Sequence, residues 1–402
     1  MKLLLFFSFL IISAFANAQH LKVKVGKYDA FLHINKTTTL PVHFSIIEKN
    51  KERIAVISNA EERIELHAPL KFGDTIILPF PDFDSEIRVK ISKKSTLNGY
   101  WINNNKGSNY KIPFSAKFVK TQVKQTKSTI DLNGKWETYF NPNGDKEAAI
   151  TLLKQTGSHI TGTVLTETGD YRFLEGEVEN NKFYLTAFDG THAFMLTGTE
   201  NNGKIEGSFY SGKHYQTSYF STRNETFELR NSDSITVVKK DENLFTFKLQ
   251  NLDGKEYTFP NENTTNKVVI IQIMGTWCPN CLDETKYYES LYKKYHDKGL
   301  EIISIGYESA ETFAEQAKKI ETLKSRYNLD FTFLVGGKAN KQLASQHFSM
   351  LNEIISFPTS IYIGKDGKVR RVHTGFSGPG TGDIYLEYVK KTDALIESLL
   401  AE

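Results

Sequence analysis

Cys278 and Cys281 are the only two thiols in a chain of 402 residues, and they lie in the stretch Gly275-Thr276-Trp277-Cys278-Pro279-Asn280-Cys281. Two cysteines at this spacing can staple a fold, supply half of a metal site or exchange electrons. A staple closing so short a loop restricts the unfolded chain only slightly. Secreted proteins held together by disulfides scatter their cysteines over distant segments instead. Structural zinc would need two further Cys or His ligands at suitable spacing, and the nearest downstream histidine, His296, falls on the far side of an expected helix. The reading that remains is redox exchange, with the dithiol itself as the redox group and no other cofactor.

The flanking sequence supplies what such chemistry needs. "KVVIIQIM", residues 267–274, is a continuous apolar, β-branched run suited to a buried central strand. "PNCLDETKYYESLYKKYHDKG", residues 279–299, reads as a helix ending at Gly299, with Leu282, Leu291 and Tyr295 near one face. Cys278 therefore sits where a strand ends and a helix begins, against unpaired N–H groups and the positive end of the helix dipole. Both favour thiolate, and such positions bring a cysteine from about 8.5 down to about 7 or lower. Pro279 suits the first helical turn, where its missing N–H costs nothing. Cys281, one turn on, faces deeper into the domain. Cys278 is thus the expected attacking thiol and Cys281 the resolving one.

Around this core, "LFTFKLQNLDGKEYTF" reads as a hairpin turning at Asp253-Gly254. "LEIISIG" and "FTFLV" read as strands, "AETFAEQAKKIETLKSRYN", "KANKQLASQHF" and residues 383–401 as helices, and "SFPTSIYIGKDGKVRRVHTG" as two strands around a turn. Helices alternating with strands predict an α/β domain over residues 233–402 with a mainly parallel sheet. The Gly-rich run "GFSGPGTG", residues 375–382, lacks the Lys-Ser/Thr of a phosphate cradle and reads as a flexible rim.

Residues 233–402 resemble the thioredoxin-fold thiol–disulfide oxidoreductases, in their TlpA-like, redoxin-type branch. The resemblance rests on Trp277-Cys278-Pro279-Asn280-Cys281 after a buried strand, on the leading hairpin, on the extra strand and helix of residues 331–348, and on Phe357-Pro358-Thr359 before "SIYIGKDGKV". It implies that Pro358 is cis and packs on the disulfide, and that Phe357 pairs its backbone with a substrate peptide. Trp277, Pro279, Phe357 and Pro358 form the implied substrate-binding surface. Thioredoxins bury a carboxylate on the central strand; the matching residue here is Gln272, which cannot titrate. Glu284, three residues after Cys281, matches a glutamate of the TlpA-like branch and is a candidate catalytic proton acceptor, or else an exposed acid favoured by the helix dipole. The resemblance implies protein disulfides as substrates and a membrane electron donor. Oxidase or isomerase activity uses the same residues, and direction follows reduction potential. A peroxidase would carry Pro and Thr seven and three residues before its reactive cysteine; Ile271 and Gly275 stand there before Cys278.

The remainder is β-rich. The chain opens "MKLLLFFSFLIISAFANAQ", with one Lys, an apolar run and Ala16-Asn17-Ala18, the pattern of a secretory signal peptide cut after Ala18. This implies a periplasmic or secreted protein whose mature chain has no transmembrane segment. Residues 19–126 show short alternating runs such as "TLPVHFSIIEKN" and predict a first β domain. Nine lysines and no acid lie between Lys90 and Lys127, the composition of a solvated face of edge strands. "TQVKQTKST", residues 121–129, reads as a linker.

Residues 127–230 repeat an apolar-polar-Gly pattern at Ile160–Gly162, Leu174–Gly176, Leu196–Gly198 and Ile205–Gly207, and predict an antiparallel meander or lipocalin-like barrel opening at Gly134-Lys135-Trp136. Asp189, His192 and His214 have no ligand-set spacing. A formal net charge of +3 gives no reason to expect nucleic acid. The β domains could instead carry the main role, as a binding scaffold with a subsidiary redox unit.

Overall fold

The computed structural model describes residues 23–402 apart from 68, 93–94, 108, 121–127 and 240–244. The expected leader, residues 1–18, and most of the expected linker lie outside the described residues.

The first nine strands, from Gly26–His33 to Lys111–Phe118, form one antiparallel sheet that does not close on itself. Alternation places Leu40, Val42, Phe44 and Ile46 of strand Thr39–Lys49 inward. That core is completed by the next domain, through Phe188, Ala193 and Met195. Asn59 fastens the junction by donating to the Phe188 carbonyl at 3.1 Å and accepting from its N–H at 2.9 Å. The first domain's core thus extends into the barrel's outer face, while the barrel keeps a core of its own.

The second domain is a closed antiparallel barrel. Its first strand, Gly134–Phe140, pairs with both Glu147–Thr156 and the last strand, Tyr215–Arg223. The repeated glycines explain the coiling. A Cβ on Gly162 would lie 2.1 Å from the Leu152 carbonyl oxygen, and one on Gly176 would lie 1.8 Å from that of Tyr184, so only glycine lets these strands approach so closely. The interior is filled by Trp136, Phe140, Leu185, Leu196, Phe209 and Tyr219 among others. His192 bonds Asp189 at 3.1 Å, whereas His214 lies against the Tyr110 ring; the three candidate ligands do not converge.

The third domain is a seven-stranded sheet flanked by four helices, α1 (Pro279–Tyr295), α2 (Phe313–Tyr327), α3 (Lys341–His347) and α4 (Asp383–Ala401). Strand Val268–Met274 is buried along its whole length and runs parallel to Leu300–Glu308, which runs parallel to Thr332–Lys338. The other four pairings are antiparallel, so the expectation of a mainly parallel sheet is corrected. Each edge pair is a hairpin and so runs antiparallel, and each hairpin also joins the central strands antiparallel. α1 ends in a short 3-10 turn, with Gly299 at φ +106° in the left-handed region. Asp233, at the head of this domain, holds Arg371 at 2.9 Å and His373 at 2.6 Å. Among the described residues no helix is long and apolar enough to cross a membrane.

Candidate active site

Cys278 is the N-cap of α1. Its backbone is extended (φ −101°, ψ 113°), and its sulfur accepts from the Cys281 N–H at 3.2 Å, with Pro279 in the first turn. The two cysteines are joined in a disulfide, with their Cα atoms 5.2 Å apart. They differ in access: Cys278 keeps 7% of its surface and Cys281 none. An incoming sulfur can therefore reach only Cys278.

The strand-to-helix turn is held from the neighbouring strand. Gly275 is required there, since a Cβ would meet the Trp277 ring at 2.4 Å and the Tyr307 carbonyl at 2.8 Å. Thr276 donates its N–H and its hydroxyl to the Glu308 carboxylate at 2.9 and 2.7 Å. Trp277 donates from its indole to the Tyr307 carbonyl at 2.9 Å and sets its ring edge-on to Phe357. Phe357 stacks on Tyr307, and its carbonyl oxygen lies 3.6 Å from the Cys278 sulfur. The Phe357–Pro358 peptide is cis. Trp277 and Phe357 are half-buried, whereas Pro279 and Pro358 are buried. The sequence reading missed Glu308; an acid ending a largely apolar strand run was its one available signal.

Glu284 is fully buried, which excludes the exposed-acid reading. Its carboxylate accepts from Gln272 at 2.9 Å, Ser360 at 3.0 Å and Tyr288 at 3.2 Å. Burial raises its pKa to about 7, against the opposing pull of those three donors. Gln272 also faces the Cys281 carbonyl at 3.4 Å and accepts from Ser304 at 2.7 Å and Thr285 at 3.1 Å. The strand residue that cannot titrate thus fixes the helix residue that can. The Tyr288 hydroxyl continues to Tyr362 and on to Tyr388, each step at 2.9 Å.

The β domains reach this site. Asn280, between the cysteines, donates to the Asp170 and Phe376 carbonyls at 3.1 and 3.2 Å. Arg172 of the barrel donates to the Pro279 carbonyl at 3.1 Å and pairs with Asp283 at 2.6 Å and with Glu62 of the first domain. Burial works against its charge, but the carboxylates of Asp283, Glu62 and Asp189 outweigh that and raise its pKa. Contacts across more than a hundred residues of sequence leave no local pattern to read.

The profile of the Redoxin family matches residues 239–387. The chain is 30% identical over 147 residues to the thiol-disulfide oxidoreductase ResA of Bacillus thuringiensis subsp. konkukian, covering 36% of this chain and 73% of that protein. It is 26% identical over 155 residues to ResA of Halalkalibacterium halodurans, covering 39% and 80%. It is also 26% identical over 129 residues to the thioredoxin-like protein YneN of Bacillus subtilis, covering 32% and 68%.

Proposed function

The chain belongs to the redoxin family and is a thiol–disulfide oxidoreductase, and from that premise we propose that it reduces protein disulfides outside the cytoplasm. The Cys278 thiolate attacks a substrate disulfide, breaks its S–S bond and releases one substrate thiolate. Cys281 then attacks the Cys278 sulfur, freeing the second substrate thiol and re-forming the enzyme disulfide. The Cys281 proton passes to the Glu284 carboxylate, which sits one helical turn away and is held in place by Gln272, whose amide also donates to the Cys281 backbone carbonyl. Trp277, Phe357 and Pro358 receive the substrate chain beside Cys278. Two electrons leave the dithiol per turnover, and a membrane-bound donor restores them. The extracytoplasmic setting rests on the leader-like residues 1–18.

The observation that carries this reading is the unequal pair: one sulfur reachable at a helix N-terminus, the other sealed beside a buried carboxyl. The test is insulin reduction by the full-length, pre-reduced chain, together with the dithiol's equilibrium potential against glutathione. Insulin reduction with a potential near about −270 mV supports a reductase. A value near about −120 mV makes the same site an oxidase.

A further inference from the structure

After barrel strand His159–Thr166 the chain turns back on itself, pairs Gly169–Asp170 with Leu165–Thr166 at the barrel rim, and meets Asn280 of the dithiol turn. The seat of this rim segment is the Gly-rich segment 375–382. A Cβ on Gly375 would stand 2.5 Å from the Thr168 backbone, and one on Gly380 would stand 2.7 Å from that of Arg172. Between them the Gly378 N–H donates to the Asp170 carboxylate at 2.6 Å. Ser356 donates to the Thr168 carbonyl at 3.1 Å. On the dithiol side, Asn280 bonds the Asp170 carbonyl and Arg172 bonds the Pro279 carbonyl. Both residues between the cysteines are thus held by the barrel. The glycines read from sequence as a flexible rim are a fitted socket.

We propose that barrel residues 166–172 are a fixed wall of the active site and make the barrel its substrate selector. The wall closes the Asn280 flank, and a partner reaches Cys278 from the Trp277–Phe357 side. The substrates that fit are small disulfides and disulfides in extended, unpaired peptide segments. A disulfide lying flush in a globular surface meets the barrel before it meets the sulfur. This selection rests on the oxidoreductase reading above. Arg172 is a positioning residue in it: its one guanidinium joins Glu62, Asp283 and the Pro279 carbonyl, hence all three domains.

The test uses the full-length chain and two substitutions that loosen the wall from opposite sides. Arg172→Gln removes the clamp, and Gly380→Ala places a methyl against the Arg172 backbone. For each, the pre-reduced protein is assayed against oxidised glutathione and against native insulin, with the melting temperature as a check on folding. The insulin-to-glutathione rate ratio is expected to rise about fivefold or more in both variants. A loss of folded protein lowers both rates together and leaves the ratio alone, so a merely structural contact does not give this result. An unchanged ratio in both variants, or a fall showing that the barrel recruits rather than excludes, overturns the wall. Should the wild type reduce neither substrate, the reductase reading fails separately. Alkylation of Cys278 by iodoacetamide against a bulky maleimide then decides the wall by the same ratio.

Discussion

The barrel and the thioredoxin-like domain each bury an interior but fill it differently. The barrel interior is aromatic and aliphatic, closed by a continuous ladder of strand pairings. The catalytic domain divides its central strand between two faces. Val269, Ile271 and Ile273 enter a purely packed cluster on one side. On the other, Gln272 anchors a buried network of Glu284, Thr285 and Ser304 that continues to Ser360. Buried polar groups are costly unless fully paired, and the proposed proton transfer to Glu284 would account for a network kept beside the dithiol. In the barrel the buried charges among the described residues are Asp170, Arg172 and Asp189, near its neighbours, whereas Thr138, Thr151 and Ser221 bury only hydroxyls bonded between its own strands. The two regions teach the same rule: charge is buried where chemistry or docking needs it.

The sharpest way to break the comparison is to remove the reacting atom. Cys278→Ser should lower insulin reduction by about 10³-fold or more while leaving the melting temperature near that of the wild type. Next comes the barrel core. Trp136 is buried and its indole donates to the Leu132 carbonyl at 2.9 Å; Trp136→Ala should cost about 3–5 kcal/mol in urea unfolding.

Glu284→Gln follows, with about 10²-fold slower release of a mixed disulfide. Its pH signature is specific. Wild-type release should quicken as pH rises through about 7, when the carboxylate forms, and the variant should lack that rise. Stability shifts with it. A raised carboxyl pKa adds stability below the unfolded value and loses it as pH climbs through the folded one. The wild type should therefore lose ground to Glu284→Gln between about pH 4.5 and 7, as read by melting temperature. The smallest effect is Phe357→Ala, which trims the ring stacked on Tyr307 and should raise the KM for a protein substrate about three- to tenfold with little change in kcat.

What the sequence made legible was local. Asp253-Gly254 marked a hairpin, Gly299 the end of α1, and the strand before Cys278 declared its burial in seven consecutive apolar or amide residues. The barrel was visible because its glycines answer to strand coiling, a property of neighbouring residues. The asymmetry of the two cysteines followed from helix geometry alone. What stayed hidden depends on distant partners. Gln272 looked like a lost acid because its partner Glu284 is twelve residues on and on another element. The Gly-rich loop looked mobile because the barrel residues it receives lie about two hundred positions earlier. The sheet's direction was misread because the hairpins join it through antiparallel pairings between strands distant in sequence, Phe247–Asn251 with Thr332–Lys338 and Thr359–Ile363 with Val268–Met274.

The central claim is that Cys278 attacks and Cys281 resolves. Trapping tests it most directly: full-length Cys281→Ser and Cys278→Ser, each pre-reduced, are mixed with oxidised substrate and resolved on non-reducing gels. The account predicts a stable mixed disulfide with Cys281→Ser and none with Cys278→Ser. Equal trapping by both variants, or trapping by Cys278→Ser alone, would contradict it.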